Sequence, residues 1–382
     1  MPLSGITVLE MGENVAGPLA NQILGDFGAE VIKLENPDGG DSTRQMGTAP
    51  KHGGGAFFHT VNRNKRSLVL DLADPAHVAA LKRFVTAEAD VVVQNLRPGV
   101  VEKFGVGEAD LRALNPRLIY VNVSAFSKTG PNAAKPGYDF LMEAFGGLMS
   151  VTGEPDRPPS RVGVPAVDFS TALWVAIGIL AALRRREATG VGCTVDTSLF
   201  ETSAVMMSFP IAFHLFTGEV PHRWGSGSSG MAPFQAFAAA DGDLAVAAGN
   251  DRIWRKFARV LGHPDWPEDP RFATPAARWE NRAVLVAMIE DVMRGRDRAA
   301  WTAELEAAGV PAGPVQNVAE MLADPETAAS GILAPAPGRP DVQLIQNPLS
   351  FDGARPPMRC APPLLGDFND DFLARYGGDG EG

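Results

Sequence analysis

Apolar residues in the first third of the chain recur in two alternating patterns. Short β-branched runs at Ile6–Met11, Val31–Glu35, Leu68–Leu72, Val91–Leu96 and Leu118–Ser124 read as strands. Between them, Ala16–Phe27, Pro75–Thr86 and Glu108–Leu114 carry helical spacing. Strands that alternate with helices build parallel sheets covered on both faces, and Val91-Val-Val93, apolar on consecutive residues, fits a central strand. The prediction is a Rossmann-like α/β fold, which holds its ligands beyond the carboxyl ends of the strands.

Further on, Phe140–Met149 and Asp168–Glu187 read as helices joined by the Pro- and Arg-rich connection Glu154–Pro165, followed by a strand at Cys193–Asp196 and a helix at Leu199–Phe209. From about Gly218 the texture changes. A glycine and serine cluster, Gly225-Ser-Gly-Ser-Ser-Gly230, precedes two runs, Phe234–Phe237 and Leu244–Ala248, that can pair as a hairpin across Asp241-Gly242. Helical stretches follow at Arg252–Leu261, Arg282–Met293 and Arg298–Ala308. The predicted division is a large α/β domain over 1–205 plus 330–382 and a smaller α+β domain over 225–325, with linkers between. The Pro-rich segment 334–366 shows little helical pattern and is expected to run back across the surface of the first domain.

Composition narrows the function. Among 382 residues, 34 Lys and Arg face 45 Asp and Glu, a formal charge of −11 that lacks the broad basic face needed for nucleic acid and is repelled by anionic lipid. Any anionic ligand must therefore be held by locally placed groups. The longest apolar run, Ala172–Leu183, stops at Arg184-Arg-Arg186, short of the roughly 20 residues that cross a bilayer, and reads as a buried helix. Two distant cysteines, Cys193 and Cys360, and no basic-then-apolar amino terminus fit a reducing, cytoplasmic compartment with neither nucleic acid nor membrane as partner. The six histidines show no metal-ligand spacing, and no metal site is expected.

Three places could carry chemistry. Gly225–Gly230 formally matches Gly-x-Gly-x-x-Gly, but no strand leads into it and Pro233 interrupts any helix after it, so it reads as a flexible loop. Asp168 follows Val162-Gly-Val-Pro-Ala-Val167 and opens a long apolar helix. A carboxylate there suits an N-cap, held ionised by the helix dipole, and the same properties suit a nucleophile. The basic cluster Asn62-Arg-Asn-Lys-Arg-Ser67 reads either as a solvated turn or, with Arg97 and Lys103, as a phosphate site.

In these residues the sequence resembles the family III CoA-transferases, the group of formyl-CoA transferase, carnitine CoA-transferase and α-methylacyl-CoA racemase. The resemblance is carried by Ala16-Gly-Pro18, Phe27-Gly-Ala-Glu-Val-Ile-Lys-Leu-Glu35, Gly40-Asp41 with Arg44, and Asn64-Lys-Arg-Ser67. It continues through Asn95 with Pro98-Gly99, Gly137-Tyr-Asp139, Asp168, Gly178-Ile-Leu-Ala-Ala-Leu183 and Thr189-Gly190. It ends with Gly249-Asn250, Gly309-Val-Pro-Ala-Gly-Pro314 and Ala361-Pro-Pro-Leu-Leu-Gly366. The resemblance implies an interlocked homodimer that transfers CoA from an acyl-CoA, such as succinyl-CoA, to a small carboxylic or dicarboxylic acid. It implies no permanently bound cofactor, the CoA thioester being substrate.

Asp168 is then the catalytic carboxylate, passing through a mixed anhydride and an aspartyl-CoA thioester in an order the sequence leaves open. Val15, Ala16, Tyr138 and Asp139 become its neighbours, and Gly225, Gly227 and Gly230 a loop shielding the anhydride from water. Arg63, Lys65, Arg66, Asn95, Leu96, Arg97 and Lys103 are assigned to CoA. Val15 and Pro136 stand where formyl-CoA transferase carries glutamine and lysine, so its acid specificity does not carry over. In the racemases a histidine occupies the position of Tyr138, and a phenol with an ordinary pKa near 10 is poorly suited to moving an α-proton at neutral pH. Racemase is the alternative reading. A CoA-binding scaffold with Asp168 as a mere cap is a third.

Overall fold

Six parallel strands form one sheet in the order β3-β2-β1-β4-β5-β6, where β1 is Thr7–Met11, β2 Glu30–Glu35, β3 Lys65–Val69, β4 Val91–Gln94, β5 Ile119–Ser124 and β6 Thr194–Ser198. The computed structural model describes residues 1–47 and 49–378, in two units. One holds Met1–Leu148, Val162–Leu215 and the chain from Ala329 onward; the other holds Met149–Arg161 and Phe216–Ala328.

Period-two alternation sorts the strand side chains of the first unit into two cores. Val8, Val31, Val91, Val93, Ile119 and Val121 point to one face, where they meet helix α1 (Ala16–Asp26) through Ala16, Ala20 and Leu24. Leu9, Ile32, Val92, Leu118 and Tyr120 point to the other, against residues of a later helix, Pro75–Ala87. Between these lies a short helix α2, Ala56–Val61, so Pro75–Ala87 is α3. After β4 come α4 (Val100–Lys103) and α5 (Glu108–Leu114), and after β5 comes α6 (Asp139–Phe145).

The 24-residue α7, Ala166–Thr189, packs on the first face through Val167, Ala172, Val175 and Ile179. It is the one helix among the described residues that is long and apolar enough by itself to cross a membrane, and these four residues sit in the core. Its end is set by Gly190, whose φ of 75° lets its amide turn back to the Arg186 carbonyl. Buried Arg186 also pairs with Asp90 at 2.9 Å. Helices α8 (Leu199–Met206) and α9 (Ser208–Thr217) follow β6.

The second unit contains the expected hairpin, β7 (Phe234–Ala239) with β8 (Gly242–Ala247), and a third strand, β9 (Ala312–Pro314), that pairs with β8. The helices α10 (Asp251–Val260), α11 (Pro275–Glu280), α12 (Arg282–Met293) and α13 (Arg298–Ala307) surround an aromatic core that includes Phe237, Trp254, Phe257 and Trp301. Short helices α14 (Val318–Ala323) and α15 (Pro325–Ser330) lead out of it. Met149–Arg161, which the sequence places with the large domain, belongs to this second unit. Its Pro-rich backbone leaves carbonyls free, and the Arg223 guanidinium takes those of Glu154, Pro155 and Arg157.

Two other differences from the sequence reading matter for the site. Strand β3 begins at Lys65 rather than Leu68, which draws the basic cluster into the sheet. The Pro-rich return forms a hairpin, β10 (Leu333–Ala336) with β11 (Arg339–Ile345), and a final helix α16, Asn369–Tyr376. Side chains of this return finish the open edge of β3: Asp367 accepts the Ser67 amide, and Asn369 bonds both the amide and the carbonyl of Val69. Phe372 is fully buried edge-to-face against Phe84, at 5.7 Å between centroids. Phe372→Ala is expected to cost about 3–5 kcal/mol, read as a lower urea midpoint; an unchanged midpoint would mean that α16 does not pack on the sheet.

Candidate active site

The chain runs outward from β1 to β2 and β3, then returns to lay β4 on the other side of β1. At such a reversal the loops after β1 and β4 diverge and leave a crevice at the carboxyl ends. The segment Glu13–Ala16 and the turn Asn95–Pro98 line it. Asn95 welds the two together, since its Oδ1 accepts the Glu13 amide at 2.9 Å and its Nδ2 donates to the Glu13 carbonyl at 2.8 Å. Gly12 is required beneath this clamp: a Cβ there would lie 2.3 Å from Asn95 Oδ1. Val15 then gives way to α1 without any side-chain cap, which leaves the first turn of α1 uncapped where Val15 and Ala16 line the crevice.

Opposite lies the start of α7. Asp139, the first residue of α6, accepts the amides of Val167 at 2.9 Å and Asp168 at 3.0 Å. Asp139 therefore does the capping that the sequence offered to Asp168, whose own carboxyl is left to line the cleft. Its ionisation also departs from the dipole argument. Burial, with the Asp139 charge adding to it, pushes the Asp168 carboxyl up to about 7, so desolvation outweighs the helix amino terminus. Such a group is shared between carboxylate and acid at neutrality.

The open cleft, about 330 Å³, brings together Val15, Ala16, Asn95, Leu96, Arg97, Tyr138 and Asp168, with Asp139 beneath its wall. Its other charged groups, Glu13 and Lys135, went unremarked in the sequence reading. Glu13 was legible as a charge directly beyond a strand end. Its carboxyl lies above the ordinary range through burial and the nearby Asp41. Lys135 carried no such signal, since the loop before α6 has no periodicity to place it.

The basic cluster before β3 is a correction. Arg63 pairs with Asp26 at 2.6 Å and donates to the Ile345 carbonyl. Lys65 is fully buried against Glu10 at 2.7 Å. Arg66 contacts Asp371 and Glu30 and lies over the Phe368 ring. None of the three lines the cleft, because strand alternation sends Lys65 inward and Arg66 to the opposite side. Lys103, at the end of α4, is exposed beside the Phe104 ring and does not line it either. Gly225, Gly227 and Gly230 are in the second unit, where the Gly225 amide bonds the Gly153 carbonyl and the Gly227 amide that of Trp224. Gly225 and Gly230 adopt positive φ, as turn residues do.

The raised Asp168 carboxyl has a measurable consequence. The folded state binds this proton more tightly than the unfolded one, so the contribution is present below the ordinary carboxyl range and is lost as pH rises through about 7. Asp168→Asn removes that loss. It is expected to raise the melting temperature at pH 8 by on the order of 2 °C, an advantage that shrinks as the pH falls toward 4. A shift that is the same at both pH values would show that Asp168 titrates normally.

The model of CoA-transferase family III matches residues 3–369. A succinate–glutarate CoA-transferase of Agrobacterium fabrum is 36% identical over 98% of this chain and 95% of its own. An acetyl-CoA:oxalate CoA-transferase of Acetobacter aceti is 37% identical over 92% and 90%. Among solved structures, a CAIB/BAIF family protein from Brucella suis superposes with a TM-score of 0.89 at 37% identity, covering 98% of this chain and 99% of that one. The chain belongs to CoA-transferase family III and is an acyl-CoA:carboxylate CoA-transferase.

Proposed function

We propose that the protein moves CoA between carboxylic acids through covalent chemistry on Asp168. The observation that carries this is a carboxyl relieved of capping by Asp139 and facing an open cleft at the sheet reversal. An Asp168 oxygen attacks the thioester carbonyl. The C–S bond then breaks, leaving a mixed anhydride and CoA thiolate. Attack of the thiolate on the aspartyl carbonyl releases the donor acid and leaves an aspartyl-CoA thioester. The acceptor carboxylate displaces CoA from it, forming a second anhydride, and the thiolate takes the new acyl group and frees Asp168. Each attack creates an oxyanion, and the uncapped amides at the start of α1 are donors already fixed in place for it. Arg97 and Lys135 supply positive charge for the phosphates or the acceptor carboxylate.

Succinyl-CoA as donor and a dicarboxylate as acceptor are supported by relatives named for succinyl-CoA with glutarate, 32% identical. Proton exchange at Cα is less well supported, since Tyr138 is 63% exposed and the relatives named above are transferases. With succinyl-CoA and a panel of acids, wild-type protein should transfer CoA, and Asp168→Ala should lose at least about 10³-fold. Borohydride or hydroxylamine should trap an adduct on Asp168 of the wild type alone. Equal transfer by the variant removes Asp168 as nucleophile, and deuterium uptake at Cα without an acceptor acid would favour racemisation. Because only the carboxylate attacks, the rate should climb as pH rises through about 7.

We also infer a homodimer. Helix α9, Ser-Phe-Pro-Ile-Ala-Phe-His-Leu-Phe-Thr, buries none of its residues, and Phe209 is 90% exposed. On α7, Leu173 and Ile177 are more than half exposed. Apolar surface of this kind is covered in stable assemblies. Sedimentation should return twice 40.4 kDa; a stable monomer would refute the inference.

A further inference from the structure

The segment Gly12–Pro18, whose Glu13–Ala16 stretch lines the cleft, is held at both ends by buried charge. Lys33 Nζ on β2 donates to the Gly12 carbonyl at 2.8 Å, and Lys65 Nζ on β3 donates to the Pro18 carbonyl at 2.8 Å. The two ammonium groups share one carboxylate, Glu10 of β1, which meets Lys33 with Oε1 and Lys65 with Oε2 at 2.7 Å each. All three side chains are completely buried. Asp41 pairs with Lys33 at 2.8 Å.

We propose that Lys33 and Lys65, bridged by Glu10, are positioning residues that fix the Glu13–Gly17 backbone against the reacting atoms. Stability alone does not call for such a cluster, because apolar residues of the same volume stabilise an interior at least as well. What apolar residues cannot supply is a donor aimed at each of two carbonyls six residues apart. Between those carbonyls lie the amides that the transfer reaction needs in place, and a displacement of about 1 Å in such donors is worth on the order of 10²-fold in rate. The inference rests on the CoA-transfer reading above.

The test pairs kinetics with amide hydrogen exchange on the full chain. In Lys33→Met, kcat for CoA transfer should fall about 10- to 100-fold while KM for the acyl-CoA changes less than about threefold. Exchange at Asn14, Val15, Ala16 and Gly17 should rise while β4 and β5 stay protected. Lys33→Arg, which keeps charge and donor, should recover part of kcat. If Lys33→Met does not fold, Glu10→Gln, nearly the same size and neutral, carries the same expectation. A folded variant with wild-type kcat, or one whose exchange rises evenly across the sheet, overturns the proposal. A wild type that transfers no CoA refutes the functional reading instead, and the exchange pattern then decides the positioning role by itself.

Discussion

A carboxylate shared by two buried ammonium groups binds three neighbouring strands to one another through something other than the backbone ladder. Glu10, Lys33 and Lys65 sit on β1, β2 and β3, and Asp41, Glu35 and Arg44 extend the set until three carboxylates balance three cations. Removing any one member strands the others in a medium that does not solvate them. Burial works against the Lys33 charge, but Glu10 and Asp41 outweigh it and hold its pKa high. Lys65, with burial and Lys33 opposing Glu10, is brought down to about 8. The two lysines of one bridge are thus unequal. Lys65 is the member that alkaline conditions would discharge first.

From this base the reactive geometry follows in two layers. The sheet reversal between β1 and β4 opens the crevice, and Asn95 joins its two lips through the Glu13 backbone. Asp139 then satisfies the first amides of α7, so the next carboxyl along the helix is released from local duty into a desolvated position. Two aspartates thus divide the work at this helix start: Asp139 caps it, and Asp168 lines the cleft. One holds the helix and the other is held by it.

Much of the fold was legible because it rests on periodicity. Alternating apolar residues gave β1, β2, β4 and β5 within a few residues, and α10, α12 and α13 of the second unit nearly to their ends, while the short α11, α14 and α15 went unseen. What escaped was decided by contacts distant in sequence. Nothing local announces that Lys65 is interior, since its carboxylate partner lies 55 positions earlier in the chain. The strands β9 and β10 are short and contain Pro, and with β11 they take shape from pairing rather than propensity. At the site, Asp168 was visible as the first charge of an apolar helix, yet its release from capping turned on Asp139, 29 residues away.

The edge of β3 is finished by the side chains of Asp367 and Asn369, at the start of α16, instead of by another strand. During synthesis that edge therefore lacks these partners until residues 367–369 have left the ribosome. Every earlier element can form in order, but the sheet presents an unpaired margin throughout. A chain stopped before residue 367 would keep every group that lines the cleft and still carry a sticky seam, a hazard of assembly rather than of chemistry.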